Sequence, residues 1–176
     1  MIRRMFVATL IIALASCGES PDAGNNAQLS SSAIPDVSAA ASGDPCMLLA
    51  DPEATLRQPV TASVAVMGNA TRACEWKRAD GMICGTVTVF GPGWNEVPDV
   101  ASNYAAMVHS LGAFGEVQTL AGIGEEAHAV DGKLLGTQVA FRTSKAAALV
   151  GGACSTDTLT NFALVEAVAR EIAPRL

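Results

Sequence analysis

Basic residues are scarce in this 176-residue chain: 11 Lys and Arg stand against 17 Asp and Glu, for a formal net charge of −6. No cluster or stripe of cations appears along the sequence, and phosphate backbones are held by such clusters. The chain therefore argues against a nucleic acid or any other polyanion as partner. Only two histidines are present, and no pair of cysteines has the close CxxC spacing of a zinc site. No metal and no cofactor is expected. The glycine-rich pieces "GPG", "GIG" and "GG" lack the spacing of a dinucleotide fingerprint or a phosphate loop, and they read as turns or packing glycines. The apolar run at the start of the chain, Met5 to Leu14, is far shorter than the roughly 20 residues a helix needs to cross a bilayer.

That short run is nevertheless informative. Arg3 and Arg4 precede it, and the small residues Ala15 and Ser16 follow it before Cys17. A charged segment, an apolar segment and a small-residue cleavage site make up a secretory signal, here residues 1–16. The sequence Leu14, Ala15, Ser16, Cys17 resembles the lipobox of bacterial lipoproteins. The resemblance implies that Cys17 is acylated and becomes the first mature residue. Each buried methylene contributes about 0.8 kcal/mol, so several acyl chains anchor a protein firmly where one does not. It further implies a membrane-anchored, extracytoplasmic protein. In lipoproteins of two-membrane bacteria an aspartate after the cysteine favours retention at the inner membrane. Here that residue is Gly18, which favours the outer membrane, facing the periplasm. The string Arg3, Arg4, Met5, Phe6 also resembles a loose twin-arginine export signal.

Removal of the signal takes two cations with it and leaves nine against the 17 acids. Residues 17–42 then form a lipidated N-terminus and linker. The stretch "GESPDAGNNAQLSSSAIPDVSAAAS" has three acids, no base and no aromatic residue, so it buries too little apolar surface to offset its conformational entropy. The expectation is a disordered spacer with an r.m.s. span of roughly 25 to 30 Å. Residues 43–176 are of single-domain length.

Within that domain, Asp44-Pro45 and Asp51-Pro52 carry the helix-start signature of an N-cap carboxylate followed by proline. Short helical turns are predicted over 45–50 and 52–57. Val60, Ala62, Val64 and Val66 alternate at period two and predict a strand. Residues 72–77 and 83–90 predict two more, joined as a hairpin through Asp80 and Gly81. Val97, Val100, Tyr104, Met107, Val108 and Leu111 recur at helical spacing, for a helix over 98–111. Strands follow near 116–120, 126–130, 134–143 and 146–153. A last helix over 159–172 places Phe162, Val165, Val168, Ala169 and Ile172 on one side, away from Asn161, Glu166 and Arg170. Strands in runs between amphipathic helices predict an α+β fold, with helices packed on an antiparallel sheet in a single domain. The element order hints at a duplicated unit, with sequence similarity between the halves too faint to assert one.

"DPCMLL" at 44–49, "CEW" at 74–76 and "GIGEEA" at 122–127, in that order behind a lipobox, resemble an uncharacterised family of bacterial lipoprotein domains. In that family an Asp-Pro-Cys helix start precedes a Cys-x-Trp strand and a Gly-x-Gly-acidic-x-Ala turn. The resemblance covers residues 44 to about 175 and brings no activity with it. The four domain cysteines, Cys46, Cys74, Cys84 and Cys154, face an oxidising space, where disulfides are favoured over metal ligation. Three connectivities are open. The resemblance favours Cys46 with Cys74, leaving Cys84 with Cys154, whereas hairpin pairing alone would join Cys74 to Cys84.

Glu125, Glu126, His128 and Asp131 lie close in sequence, and Glu126 and His128 share a face if 126–130 is a strand. A charged rim on a turn is the simpler reading. His109 reads as a surface residue on a helix, with no nucleophile motif to serve. Phe90 and Trp94 flank "GPG" and are candidate partner contacts, since loop aromatics anchor interfaces; the simpler reading is that both cap the core. The functional expectation is a lipid-anchored, non-enzymatic envelope protein, tied to the membrane by its lipid and binding an envelope protein or other envelope component through its domain. The alternative is a small-ligand carrier or enzyme with a cleft between sheet and helix. An apolar cavity of several hundred Å³ would favour the alternative, and an exposed aromatic patch over a filled core would favour the first.

Overall fold

A computed structural model describes residues 43–67, 71–95, 99–132, 136–155 and 158–176. The signal, Cys17 and the linker lie outside the described residues, as does Val97. All described residues belong to one contiguous unit, an α+β domain with one antiparallel seven-stranded sheet.

Both Asp-Pro steps act as read. Asp44 accepts from Cys46 N at 2.8 Å to open a 3-10 turn, Pro45–Leu48. Asp51 accepts from Ala54 N at 3.0 Å to open α1, Pro52–Leu56. The strands are β1 Thr61–Val66, β2 Arg72–Lys77, β3 Ile83–Phe90, β4 Gln118–Leu120, β5 Glu126–Gly132, β6 Gly136–Arg142 and β7 Ala147–Gly152. Between β3 and β4 runs α2, Val100–Leu111, and after β7 comes α3, Thr158–Ile172. Asp99 caps α2 by accepting from Ala101 N and Ser102 N, a start signal that apolar spacing alone does not reveal. The Ser102 hydroxyl, followed by the Ser102 amide, holds the Asp99 carboxyl below its ordinary range.

The spatial order is β1-β2-β3-β7-β6-β5-β4. Two meanders, β1 to β3 and β4 to β7, thus meet through their last strands, with Val87 opposite Val150. Period-two side chains split the central strands between two faces. On one face Val87, Val89, Val139, Phe141, Ala148 and Val150 pack with Leu48, Leu56, Trp76 and the apolar stripe of α3: Val165, Val168, Ala169 and Ile172. On the other, Val130, Ala140 and Ala147 pack with Tyr104 and Leu111 of α2. Full burial of one such large side chain contributes about 1.5 to 3 kcal/mol, so α2 and α3 are fixed by the sheet faces that receive them.

Two positions depart from the pattern. In β1, Val64 and Val66 share a face with the core residues of β2, yet they are 44% and 72% exposed. An edge strand lies beyond the reach of the packed helices. Asn161, read on the polar side of the last helix, is buried instead, because its amide donates to Ser155 O at 2.6 Å and accepts from Ser155 N at 2.8 Å.

The "GIGEE" turn is held by backbone. Glu125 N donates to Arg142 O at 2.8 Å. Gly124 sits at φ +56°, where a Cβ would run into that carbonyl. Glycine is required there twice over, by conformation and by space.

Candidate functional site

The largest aromatic of the Phe90-to-Trp94 segment does not face outward. Trp94 is 7% exposed and belongs to the main core cluster, and its backbone N–H donates to Gly91 O at 3.0 Å. This corrects its reading as a partner contact: the glycines fold the loop back so that the indole closes the core. Phe90 goes the other way. As the last residue of β3 it is half-buried and forms one wall of an open groove of about 450 Å³.

That groove runs between α2 and the sheet. Asn103, Ala106, Met107 and Ser110 of α2 line one side, Gln138 and Leu149 the floor, and Phe114 the end. Phe114 is 42% exposed, a large apolar side chain left open to solvent. Few polar groups interrupt the apolar wall: the Asn103 and Gln138 amides and the Ser110 hydroxyl, the last donating to Ala106 O at 2.9 Å. A groove with such walls has the character of a site for an apolar side chain or tail, although the Asn103 amide already donates to Asp99 O at 2.7 Å.

On the far side of α2 lies a polar cluster. Tyr104 Oη is 2.6 Å from His128 Nδ1. The Arg142 guanidinium lies 5.9 Å from the Tyr104 ring centroid and pairs with Glu125 at 2.8 Å and Glu126 at 3.1 Å. Burial, helped by the Glu126 charge and opposed by Arg142, pushes the Tyr104 phenol up to about 12. A phenol so held stays protonated and shares a hydrogen bond with the imidazole. Glu126 and His128 do share a face, opposite Arg142 and Ala140 of β6. Asp131 is not with them: it accepts from Thr137 Oγ1 at 3.1 Å. His109 is exposed on α2. The acidic residues of the rim are thus consumed by one arginine, and the histidine by a tyrosine. Sequence reasoning found Glu126 and His128 but missed Tyr104 and Arg142, which had read as an apolar-stripe member and an alternating strand residue. Among the described residues no group of three or more His, Cys, Asp or Glu is arranged to hold a metal ion.

The cysteines divide into two kinds. Cys46 and Cys74 are joined, with Cα atoms 4.9 Å apart, so the Cys74-to-Cys84 hairpin pairing is excluded. Its physical reason is register: Cys74 faces Val87, and the strand pair shifts between Trp76 and Lys77 before Cys84 is reached. Cys84 and Cys154 are unbridged thiols in this structure, against the expectation of a second disulfide, although the fold brings them together. Compared with protein-family models, with curated proteins and with solved structures, the chain matches none.

Proposed function

We propose that this chain is a lipid-anchored, extracytoplasmic, non-enzymatic binding domain, whose binding site is the apolar groove between α2 and the sheet. The observation that carries the binding reading is an exposed aromatic edge over a filled core: Phe114 is 42% exposed and, with Phe90, Met107 and Leu149, walls an open groove rather than an enclosed cavity. Anchorage rests on the sequence Leu14 to Cys17 behind a signal-like segment. The non-enzymatic reading is supported by the polar cluster, whose members pair with one another. Among the described residues no helix is long and apolar enough to cross a membrane. Outer-membrane placement rests on Gly18 following Cys17.

A small-ligand carrier is the second reading, because the groove volume falls within the few hundred to about 1,000 Å³ typical of small-molecule sites. A photoreactive amino acid at Met107, compared in intact cells with one at Ala163 on α3, separates the two. A protein adduct specific to position 107 supports partner docking, and a small-molecule adduct supports the carrier. Equal labelling at both positions overturns the assignment of the groove.

A further inference from the structure

Cys84 and Cys154 are 70 residues apart in sequence yet line the same small cleft. Antiparallel pairing of β3 with β7 sets Gly85 opposite Gly152, and Ala153 N continues the ladder by donating to Cys84 O at 3.2 Å. The Cys154 thiol is thereby carried to within hydrogen-bonding reach of the Cys84 thiol. Their exposure differs sharply. Cys84 is 1% exposed, whereas Cys154 is half-buried. Two thiols held in contact, one reachable from solvent and one not, form an asymmetric dithiol.

The surroundings fit exchange chemistry. Gln58 donates from Nε2 to Cys84 Sγ at 3.1 Å, which holds the inner sulfur in place. Arg78 acts electrostatically on Cys154 and is ion-paired with Asp80 at 2.7 Å. Gln58 and Arg78 are also walls of an open groove of about 520 Å³ that includes Pro59, Ala79 and Asp80. The side chains that act on the two thiols, Gln58 and Arg78, thus open onto a surface groove along which an external disulfide can approach. The small cleft that both thiols line, of about 10 Å³, lies between Trp76, Gly85, Gly152 and α3.

We propose that Cys84 and Cys154 form a thiol–disulfide exchange site, in which Cys154 is the entry sulfur for an external disulfide and Cys84 the resolving sulfur. In the first step the Cys154 thiolate attacks one sulfur of the external disulfide RSSR. The Cys154–S–S–R bond forms, the S–S bond of RSSR breaks, and RS⁻ leaves and takes up a proton. In the second step Cys84, deprotonated, attacks Cys154 Sγ, forms the Cys84–Cys154 bond and expels the second RS⁻, which is protonated in turn. Two thiols of this chain are oxidised, and one RSSR is reduced to two RSH. The closed bridge fastens the start of β3 to the chain just after β7, ahead of α3. Burial, with the shared proton of Cys84, pushes the Cys154 thiol up to about 12, so unassisted exchange is slow at neutral pH and speeds up as pH rises.

Oxidised glutathione is the probe, applied to the mature, detergent-extracted protein with its Cys46–Cys74 bond intact and the other two thiols reduced. Wild type is expected to lose two hydrogens and show a Cys84–Cys154 peptide on mapping. Its rate should rise ~10-fold per pH unit below the pKa, following the thiolate fraction. The Cys84→Ser variant should stop at a glutathione adduct on Cys154, and Cys154→Ser should leave Cys84 unmodified until denaturant is added. Should a serine variant misfold, N-ethylmaleimide labelling of reduced wild type reads the same asymmetry, with Cys154 modified well before Cys84. An adduct on native Cys84, equal labelling of the two thiols, or wild type that carries a stable glutathione adduct without closing the bridge each overturns the proposal.

Discussion

The phenolic oxygen of Tyr104 meets Nδ1 of His128 at 2.6 Å, and this bond fastens α2 to β5. It lies on the side of α2 away from the groove, so it fixes the helix that forms the groove wall. Tyr104 is also the only tyrosine in the chain. Its titration can therefore be followed by ultraviolet absorbance without overlap, and the midpoint should lie near the raised value of about 12. The folded state prefers the protonated phenol, so the stability it contributes is present below the unfolded pKa of about 10. That contribution is lost as pH rises from there through the folded value. Tyr104→Phe should abolish this part of the alkaline decline. At neutral pH it should cost about 1 kcal/mol in a denaturant titration, the usual net value of one hydrogen bond.

Trp94→Ala should destabilise the domain by ~3 to 5 kcal/mol, as large-to-small changes of buried aromatics do. Urea unfolding monitored by circular dichroism measures it. A variant as stable as wild type would place the indole outside the core, contrary to its packing with the sheet.

Gly124→Ala should lower stability by more than ~1 kcal/mol, because alanine meets both a left-handed backbone and the Arg142 carbonyl. By contrast Gly81, also at positive φ, has open space around a built Cβ. Gly81→Ala should show the conformational penalty alone, and thermal melts of the two variants separate conformation from crowding.

Cys17→Ala should shift the protein from the membrane fraction to the soluble one, or leave the signal uncleaved. Fractionation with mass spectrometry of the mature N-terminus reads either result. An unmodified mature N-terminus at another residue would remove the lipid from the proposed function.

Much of the fold was legible because its signals are local. The N-caps Asp44 and Asp51 announce themselves by the prolines that follow, and β2 and β3 appear at the predicted bounds, 72–77 and 83–90. Burial of particular side chains was less legible. Trp94 read either as a partner contact or as a cap on the core, and Asn161 read as outward, and each is buried through a partner set by the tertiary fold. Val64 and Val66 read as one apolar face and are exposed, because strand order decides which strand becomes an edge and periodicity does not. The groove was invisible for the same reason. Phe90 and Met107 belong to a strand and a helix joined by a loop, and only the docking angle of α2 on β6 and β7 leaves a gap between them.

The Cys46–Cys74 bond determines how the domain bears a pull on its N-terminal side. Tension entering along the chain before Gly43 reaches Cys46 within a few residues and passes through the sulfurs directly into β2, the second strand of the sheet. The 3-10 turn beyond Cys46, α1 and β1 lie on the slack side of that shortcut, so they are not peeled away in sequence. Mechanical failure must begin by extracting β2 from between two neighbours, where it is hydrogen-bonded along both edges. With the bond reduced, the same pull would unzip the domain one turn at a time from its start.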